Sequence, residues 1–353
     1  MRTKGCRHTY GIRATILIVA LLFSLHSTAQ EKTGSKFNKI VQETVDFVDY
    51  VLNDIDTTYI EKNEYNMTIM PEYSYRYEHY SIGTTGKNGQ SMGIAPDGRN
   101  LLTLNIGWRW LIVGYSFDLD NNRPMTEFNT SLYSTRFALD LFYRKGSEGY
   151  KISRLDGFES GDKLLQGEDW ECDGLTTIKQ LGLGVSYAWN KRFSYAAAMG
   201  QSTVQRSSAG SFILGAGYNW QKLTFNHDKL DPILKAELKD ELKFKQAKFH
   251  DFSISVGYGY NWVLSRNLLA GISFEPAISY KKVKLEYTDY NSSQKDLSLD
   301  FMTRAALTYN NNKYYAGATL ESHTYCFDKN DLYIRDGFGV LQVYAGFYFW
   351  RRK

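Results

Sequence analysis

Beyond its first 25 residues this 353-residue sequence has no stretch of the roughly 20 consecutive apolar residues that a membrane-crossing helix needs. A helical membrane protein is thereby excluded. It also lacks an excess of charge of either sign. There are 42 Lys+Arg against 38 Asp+Glu, and four of the bases (Arg2, Lys4, Arg7, Arg13) sit in the first 29 residues, where no acid does. The remainder is balanced, so the single-sign patch of a nucleic-acid binder is missing. Cysteine is scarce as well. Cys6 precedes the N-terminal apolar run, so no lipobox marks a lipoprotein, and only Cys172 and Cys326 follow, both in stretches that read as outer loops. Export would permit a disulfide; the spacing does not decide between a bond and two free thiols. His79, His227, His250 and His323 stand in no zinc-type spacing with Cys or with one another. No catalytic, cofactor-binding or metal-binding residues are therefore assigned.

What is present points to export and to strands. Arg2, Lys4, Arg7 and Arg13 lead into the apolar run 14–25 and the small-x-small sequence Ser27-Thr28-Ala29, the layout of a secretory signal peptide cut after residue 29. Residues 30–66 form a second section. Phe37, Ile40, Val41, Val45, Val48, Val51, Leu52 and Ile55 recur at three- and four-residue spacing, predicting an amphipathic helix of about five turns, and Asp56 to Ile60 then reads as an extended link. From residue 67 to 353 the period is two. Tyr73/Tyr75/Tyr77, Leu102/Leu104/Ile106, Leu181/Leu183/Val185, Phe252/Ile254/Val256 and Leu341/Val343 take one face, with polar residues, glycines and charges (Arg76, Arg136, Asp140, Arg144, Asp300, Arg304) between them. Mean hydropathy, −0.42, does not argue against a membrane, because a barrel strand has only one apolar face.

Two further patterns separate a barrel from a soluble β-sandwich. Phe, Trp and Tyr make up 15% of the chain, and they recur at short junctions, as in Tyr187-Ala188-Trp189-Asn190-Lys191 and Tyr260-Asn261-Trp262. Longer polar connections, near 84–98, 120–132, 154–175, 226–248, 286–296 and 326–336, alternate with these junctions. Short aromatic turns at one rim and long loops at the other are the asymmetry of an outer-membrane barrel. The final strand, Gly339 to Trp350, ends in aromatics as a closing strand does. The expected fold is an all-β, transmembrane, antiparallel up-and-down β-barrel of about 14 strands, or 12 if the short pieces near 149–154 and 223–226 do not count, with strands of roughly ten residues.

Asp56-Thr57-Thr58-Tyr59-Ile60, Gly114-Tyr115-Ser116-Phe117, Gly210-Ser211-Phe212 and Gly257-Tyr258-Gly259-Tyr260-Asn261-Trp262 resemble a domain-of-unknown-function family of exported Bacteroidetes proteins with outer-membrane barrels. The resemblance implies fold and location and brings no catalytic residues. The expected function is a passive pore or envelope structural protein, placed by barrel-assembly machinery among outer-membrane lipid and lipopolysaccharide, with no nucleic acid as partner. Two alternatives have footholds. His79 and Ser81 share one strand face, a His-x-Ser arrangement similar to that of lipid A deacylases, and the long loops suit a surface binding protein. Asp118-x-Asp120-x-Asn122 begins like a calcium loop but continues Arg123-Pro124 where glycine is needed. Glu321 and His323 read as lumen lining. Gly-x-Gly at 182–184, 215–217 and 257–259 falls within strands, where small residues admit close neighbours. A barrel this wide encloses more space than inward side chains fill, so the lumen is expected to be partly obstructed, by the 37–55 helix at its periplasmic mouth or inside it and by charges pairing across it.

Overall fold

A computed structural model describes residues 55–108, 111–120, 126–146, 150–161, 170–171 and 174–351. The segment expected to be a signal peptide, Cys172 and, apart from Ile55, the helix expected at 37–55 lie outside these residues. The strands are β1 (Ile60–Lys62), β2 (Tyr65–Thr84), β3 (Ser91–Pro96), β4 (Arg99–Trp108), β5 (Leu111–Asp118), β6 (Thr126–Tyr133), β7 (Phe137–Gly146), β8 (Tyr150–Asp156), β9 (Trp170–Glu171), β10 (Thr176–Ala188), β11 (Thr203–Gln205), β12 (Ala209–Phe225), β13 (Gln246–Ser265), β14 (Leu268–Glu286), β15 (Asn291–Asn310), β16 (Tyr314–Lys329) and β17 (Leu332–Arg351). Helix α1 spans Pro232–Glu237.

Fifteen strands form one antiparallel sheet curled into a barrel, fourteen if the two-residue β9 is set aside. Three pairs of them, β3/β4, β7/β8 and β9/β10, run on in the same direction along one stave. β2, for example, pairs with β4 over Met67–Arg76 and with β3 over Tyr80–Gly83. Fusing each pair leaves twelve staves, so the two expected counts describe one wall. The first and last staves meet, Tyr65 opposite Arg351, which puts both ends of the barrel chain at the rim of short turns. At the opposite rim β3 pairs with β8 and β8 with β9. Nearer the turn rim the short hairpin strands β5 and β6 widen the wall, and among the described residues no ladder joins them: β5 pairs only with β4, and β6 only with β7. The sheet thus has a seam there.

The alternation is the expected one over the lower half of each long stave. On β14 Ile272, Phe274, Ile278 and Tyr280 point outward, exposed, while Ser273, Glu275, Ser279 and Lys281 are buried inside. Phe212, Leu214, Phe252, Ile254, Leu297, Leu299, Leu341 and Val343 are likewise exposed. So much contiguous apolar surface in water would be a severe liability; as the lipid-facing band of a membrane-spanning barrel it is required. Among the described residues no helix is long and apolar enough to cross a membrane, and the crossing is made by strands.

Farther along the same staves the pattern inverts. Above Lys281 the inward residues of β14 are Val283 and Leu285, fully buried, and the outward ones are Lys282, Lys284 and Glu286. Leu223 and Phe225 of β12, Ala247 and Phe249 of β13, and Leu332 and Ile334 of β17 are buried in the same way. The long strands therefore exceed the ten residues expected, a length that β4 and β7 do have. β2, β13, β15 and β17 have 20 each, about 66 Å at ~3.3 Å per residue, well beyond an apolar band ~25 Å tall. The stretches expected as loops at 286–296 and 326–336 are largely strand, closed by short links such as 287–290 and 330–331, and that at 84–98 contains β3. Inversion explains the error: a stave that leaves the membrane must turn its apolar face inward, so it loses the phase of the lower half without losing its period.

Candidate functional site

The lumen is the place where buried chemistry collects, and it is filled at three levels. At the turn rim the connection from β10 to β12, expected as a short aromatic turn, folds into the barrel. Phe193, Tyr195 and Ala196–Ala198 are buried. Asn261 of β13 donates to the Ser194 carbonyl at 2.9 Å. Gln201, in a left-handed conformation with φ 57°, donates through Nε2 to Tyr344 Oη at 2.7 Å and Thr308 Oγ1 at 3.2 Å, and Tyr348 donates to its carbonyl. Two wall glycines make room. A Cβ on Gly259 would lie 3.0 Å from the Phe193 ring, and one on Gly271 3.0 Å from the Ala198 methyl; close approach was the reading of the Gly257/Gly259 pair.

β11, inside this plug, pairs with β1. Asp56 bridges Arg192 at 3.0 Å and Glu61 bridges Arg206 at 2.5 Å. The Asp56–Ile60 link, expected to be extended, is a turn in which Asp56 Oδ1 accepts from the Thr58 amide at 3.1 Å; β1 follows at Ile60.

Mid-lumen, three buried cations each hold two carboxylates. Arg304 reaches Asp140 and Glu275, both at 2.5 Å. Lys281 reaches Asp300 at 2.8 Å and Asp251 at 3.3 Å. Arg144 lies 3.5 Å from Glu78 and 3.7 Å from Asp336, with its guanidinium 3.7 Å from the centre of the Phe338 ring. Side-chain amides link two of the three groups: Arg144 Nε donates to Gln180 at 3.1 Å, Gln180 to Asn219 at 3.0 Å, and Asn219 to Asp251 at 3.0 Å. The Arg304–Asp140 contact crosses the lumen from β15 to β7, and Arg144 of β7 reaches past the β3/β4 stave to β2 and β17. Buried charge is tolerable only when so paired. The expected cross-lumen pairing is realised by Asp140 and Arg304, and Arg144 is paired with Glu78 and Asp336 on nearer staves. Asp300 bonds instead to Lys281 on the neighbouring stave, and Arg136 turns to the rim, where its guanidinium stacks 4.7 Å from the Tyr187 ring and donates to the Ala188 carbonyl at 3.2 Å. Lys281 was not foreseen, because it lies where β14 was expected to approach its end.

At the far rim the 226–245 connection closes the barrel. Leu230, Leu234, Leu238, Leu242 and Phe244 join the inward apolar residues of the upper staves in one cluster with Tyr80, Ile94 and Tyr150. Asp231 caps α1, accepting from the Ile233 amide at 2.8 Å. The Gln90 amide grips the loop twice, donating to the Glu237 carbonyl at 2.7 Å and accepting from the Lys239 amide at 2.9 Å. His227 meets the Leu242 carbonyl at 3.1 Å. Burial, above all, holds this imidazole below its ordinary range; the Leu242 contact opposes the shift, while Lys235 adds to it.

Beside the ion pairs, on the β6 side, lies a small pocket of about 60 Å³ that opens to solvent. Arg76, Glu78, Asp140, Arg144, Glu321 and His323 line it, and Asn129 and Ser131 of the edge strand β6 form part of its wall. Glu321 accepts from Tyr133, and His323 stacks on Phe338, ring centres 5.0 Å apart. The other residues singled out from the sequence are scattered. His79 and Ser81 do share the outward face of β2, yet among the described residues no hydrogen bond joins them. Asp118 is occupied by Arg99 at 2.6 Å and Asp120 by the Asn100 amide at 2.7 Å, as fits a solvated loop. Among the described residues Cys326 has no disulfide partner.

No protein of curated function matches the sequence. In overall structure the chain is similar to the outer membrane protease OmpT of Escherichia coli, with 6% identity, a TM-score of 0.38, and coverage of 83% of this chain and 100% of that one. It is similar also to the translocator domain of the autotransporter NalP of Neisseria meningitidis (7%, 0.30, 88% and 96%) and to Ail, the attachment invasion locus protein of Yersinia pestis (9%, 0.25, 80% and 99%). Nothing about this chain's chemistry follows from such distant likenesses. The family profile described as Domain of unknown function (DUF4421) matches residues 54–349, from the first described turn through the last stave. The chain therefore belongs to the DUF4421 family.

Proposed function

We propose that this is an exported outer-membrane barrel that is closed along its axis and serves the envelope as a structural protein rather than as an open pore. The observation that carries this reading is the filling of the lumen at every level: the 193–205 plug, the Arg304, Lys281 and Arg144 ion pairs, and the apolar cap under 226–245. A solute moving along the axis would have to displace all three. The signal peptide read at residues 1–29 supports export, and the outward apolar band supports residence in a bilayer. Recordings in planar bilayers test the reading. The wild-type chain is expected to insert without a stable open state, and a large, steady conductance would refute it. The deacylase alternative is tested by lipid A mass spectra from cells carrying the wild type or His79→Ala; identical spectra are expected, and a lost deacylated species would overturn that expectation.

A further inference from the structure

The outer surface carries a second pattern just beyond the apolar band, at the cap end. Lys145 of β7, Lys179 of β10, Lys222 of β12, Lys248 of β13 and Lys284 of β14 stand directly opposite one another in register across five consecutive staves. One row nearer the membrane Lys282 is paired with Lys295 of β15. On each of these staves the outward apolar run ends at the lysine or one outward residue before it: Tyr143 precedes Lys145, Leu181 adjoins Lys179, Trp220 precedes Lys222 and Tyr280 precedes Lys282. Like charges directly opposite destabilise a sheet, and among the described residues none of these ammonium groups has a carboxylate partner. Glu286, the acid one row above, has its carboxylate engaged by Gln246 at 2.9 Å. At the turn rim the same staves finish on aromatics, and nearby Arg192 and Arg206 are already bridged.

We infer that this lysine belt binds the phosphorylated headgroups of the glycolipids whose acyl chains lie against the band below it. The inference rests on the reading of the barrel as an outer-membrane protein with its cap outward. Charge complementarity and continuity argue for that occupant. Lipid that wets Leu181, Leu183, Phe252 and Ile254 must place its headgroup at the level where the exterior turns basic. The half-buried stems of Lys179, Lys222 and Lys248 lie along the wall, leaving the ammonium free to reach upward. The belt also removes the difficulty of its own repulsion, since a phosphate between two staves neutralises neighbouring lysines.

Native mass spectrometry of the folded, exported chain in detergent tests this, with bisphosphorylated lipid A, the same lipid stripped of phosphate, and inorganic phosphate as probes. Wild type is expected to retain the bisphosphorylated lipid. A Lys222→Gln/Lys248→Gln/Lys284→Gln variant is expected to bind it about a hundredfold more weakly, at roughly fivefold per surface lysine. The stripped lipid should bind both proteins equally weakly, and inorganic phosphate at matched concentration should not compete. Equal retention of the bisphosphorylated lipid by the variant, equal retention of the stripped lipid by wild type, or displacement by inorganic phosphate would each overturn the proposal. The substituted side chains leave the core untouched, so the variant should keep the heat-shifted migration of a folded barrel. Loss of membrane fractionation by wild type would instead count against the outer-membrane reading.

Discussion

Replacing Arg304 by methionine tests whether the mid-lumen pairs hold the wall together. Arg304 is 1% exposed and bridges Asp140 of β7 to Glu275 of β14, both at 2.5 Å. Asp140 is 164 residues away and on the far side of the lumen. Methionine fills much of the same volume but leaves two buried carboxylates without their cation. Removing one partner of a buried ion pair costs about 3–5 kcal/mol. Two stranded acids place Arg304→Met at the upper end of that range, unless they take up protons. The readout is the folded fraction by heat-shift electrophoresis, with urea titration in liposomes for the free energy. The decisive comparison is the triple variant Arg304→Met/Asp140→Asn/Glu275→Gln. Once all three charges are gone, no uncompensated charge remains, and more than half of the loss should return even though more contacts have been removed. Arg304→Met as stable as wild type, or a triple variant no better than the single one, would refute the view that these pairs brace the lumen.

Gly259→Val puts side-chain atoms where the Phe193 ring stands, 3.0 Å from the Cβ position; it should expel the plug, seen as faster proteolysis within 193–205 while the upper barrel stays folded. Gln90→Ala removes both hydrogen bonds to the 226–245 loop, at about 1 kcal/mol each, and should speed cleavage of that loop without opening a conductance. The cap should also loosen in acid. His227 has its folded-state pKa below the unfolded value, so its contribution is complete above about pH 6.5 and is lost as pH falls through the folded value. Proteolysis of 226–245 should therefore quicken below about pH 6 in wild type and lose that step in His227→Phe.

The sequence by itself determined the kind of wall and what it faces. Period-two alternation with Leu181/Leu183/Val185 or Phe252/Ile254/Val256 on one side is a local property, set by the pleat, and it persists in the structure residue by residue. The inward position of Arg76, Asp140, Arg144, Asp300 and Arg304 followed from the same parity. Even the end of the membrane band was written there, in the change at Lys281–Lys284 from apolar-out to apolar-in, though a reading that holds one phase along each strand takes it for a loop. Tertiary structure decided the rest. Residues 192–208 show no periodicity because the plug is not a repeating element; it is held by Asn261, Thr308 and Tyr344, which approach only when the wall has curled. Which acid meets which base is likewise a matter of closure: parity sends Asp140 and Arg304 inward, but only the curvature of the sheet brings residues 164 positions apart into contact. Side-chain direction is fixed by one residue and its neighbours, whereas partnership across a lumen depends on the stagger of every stave between them.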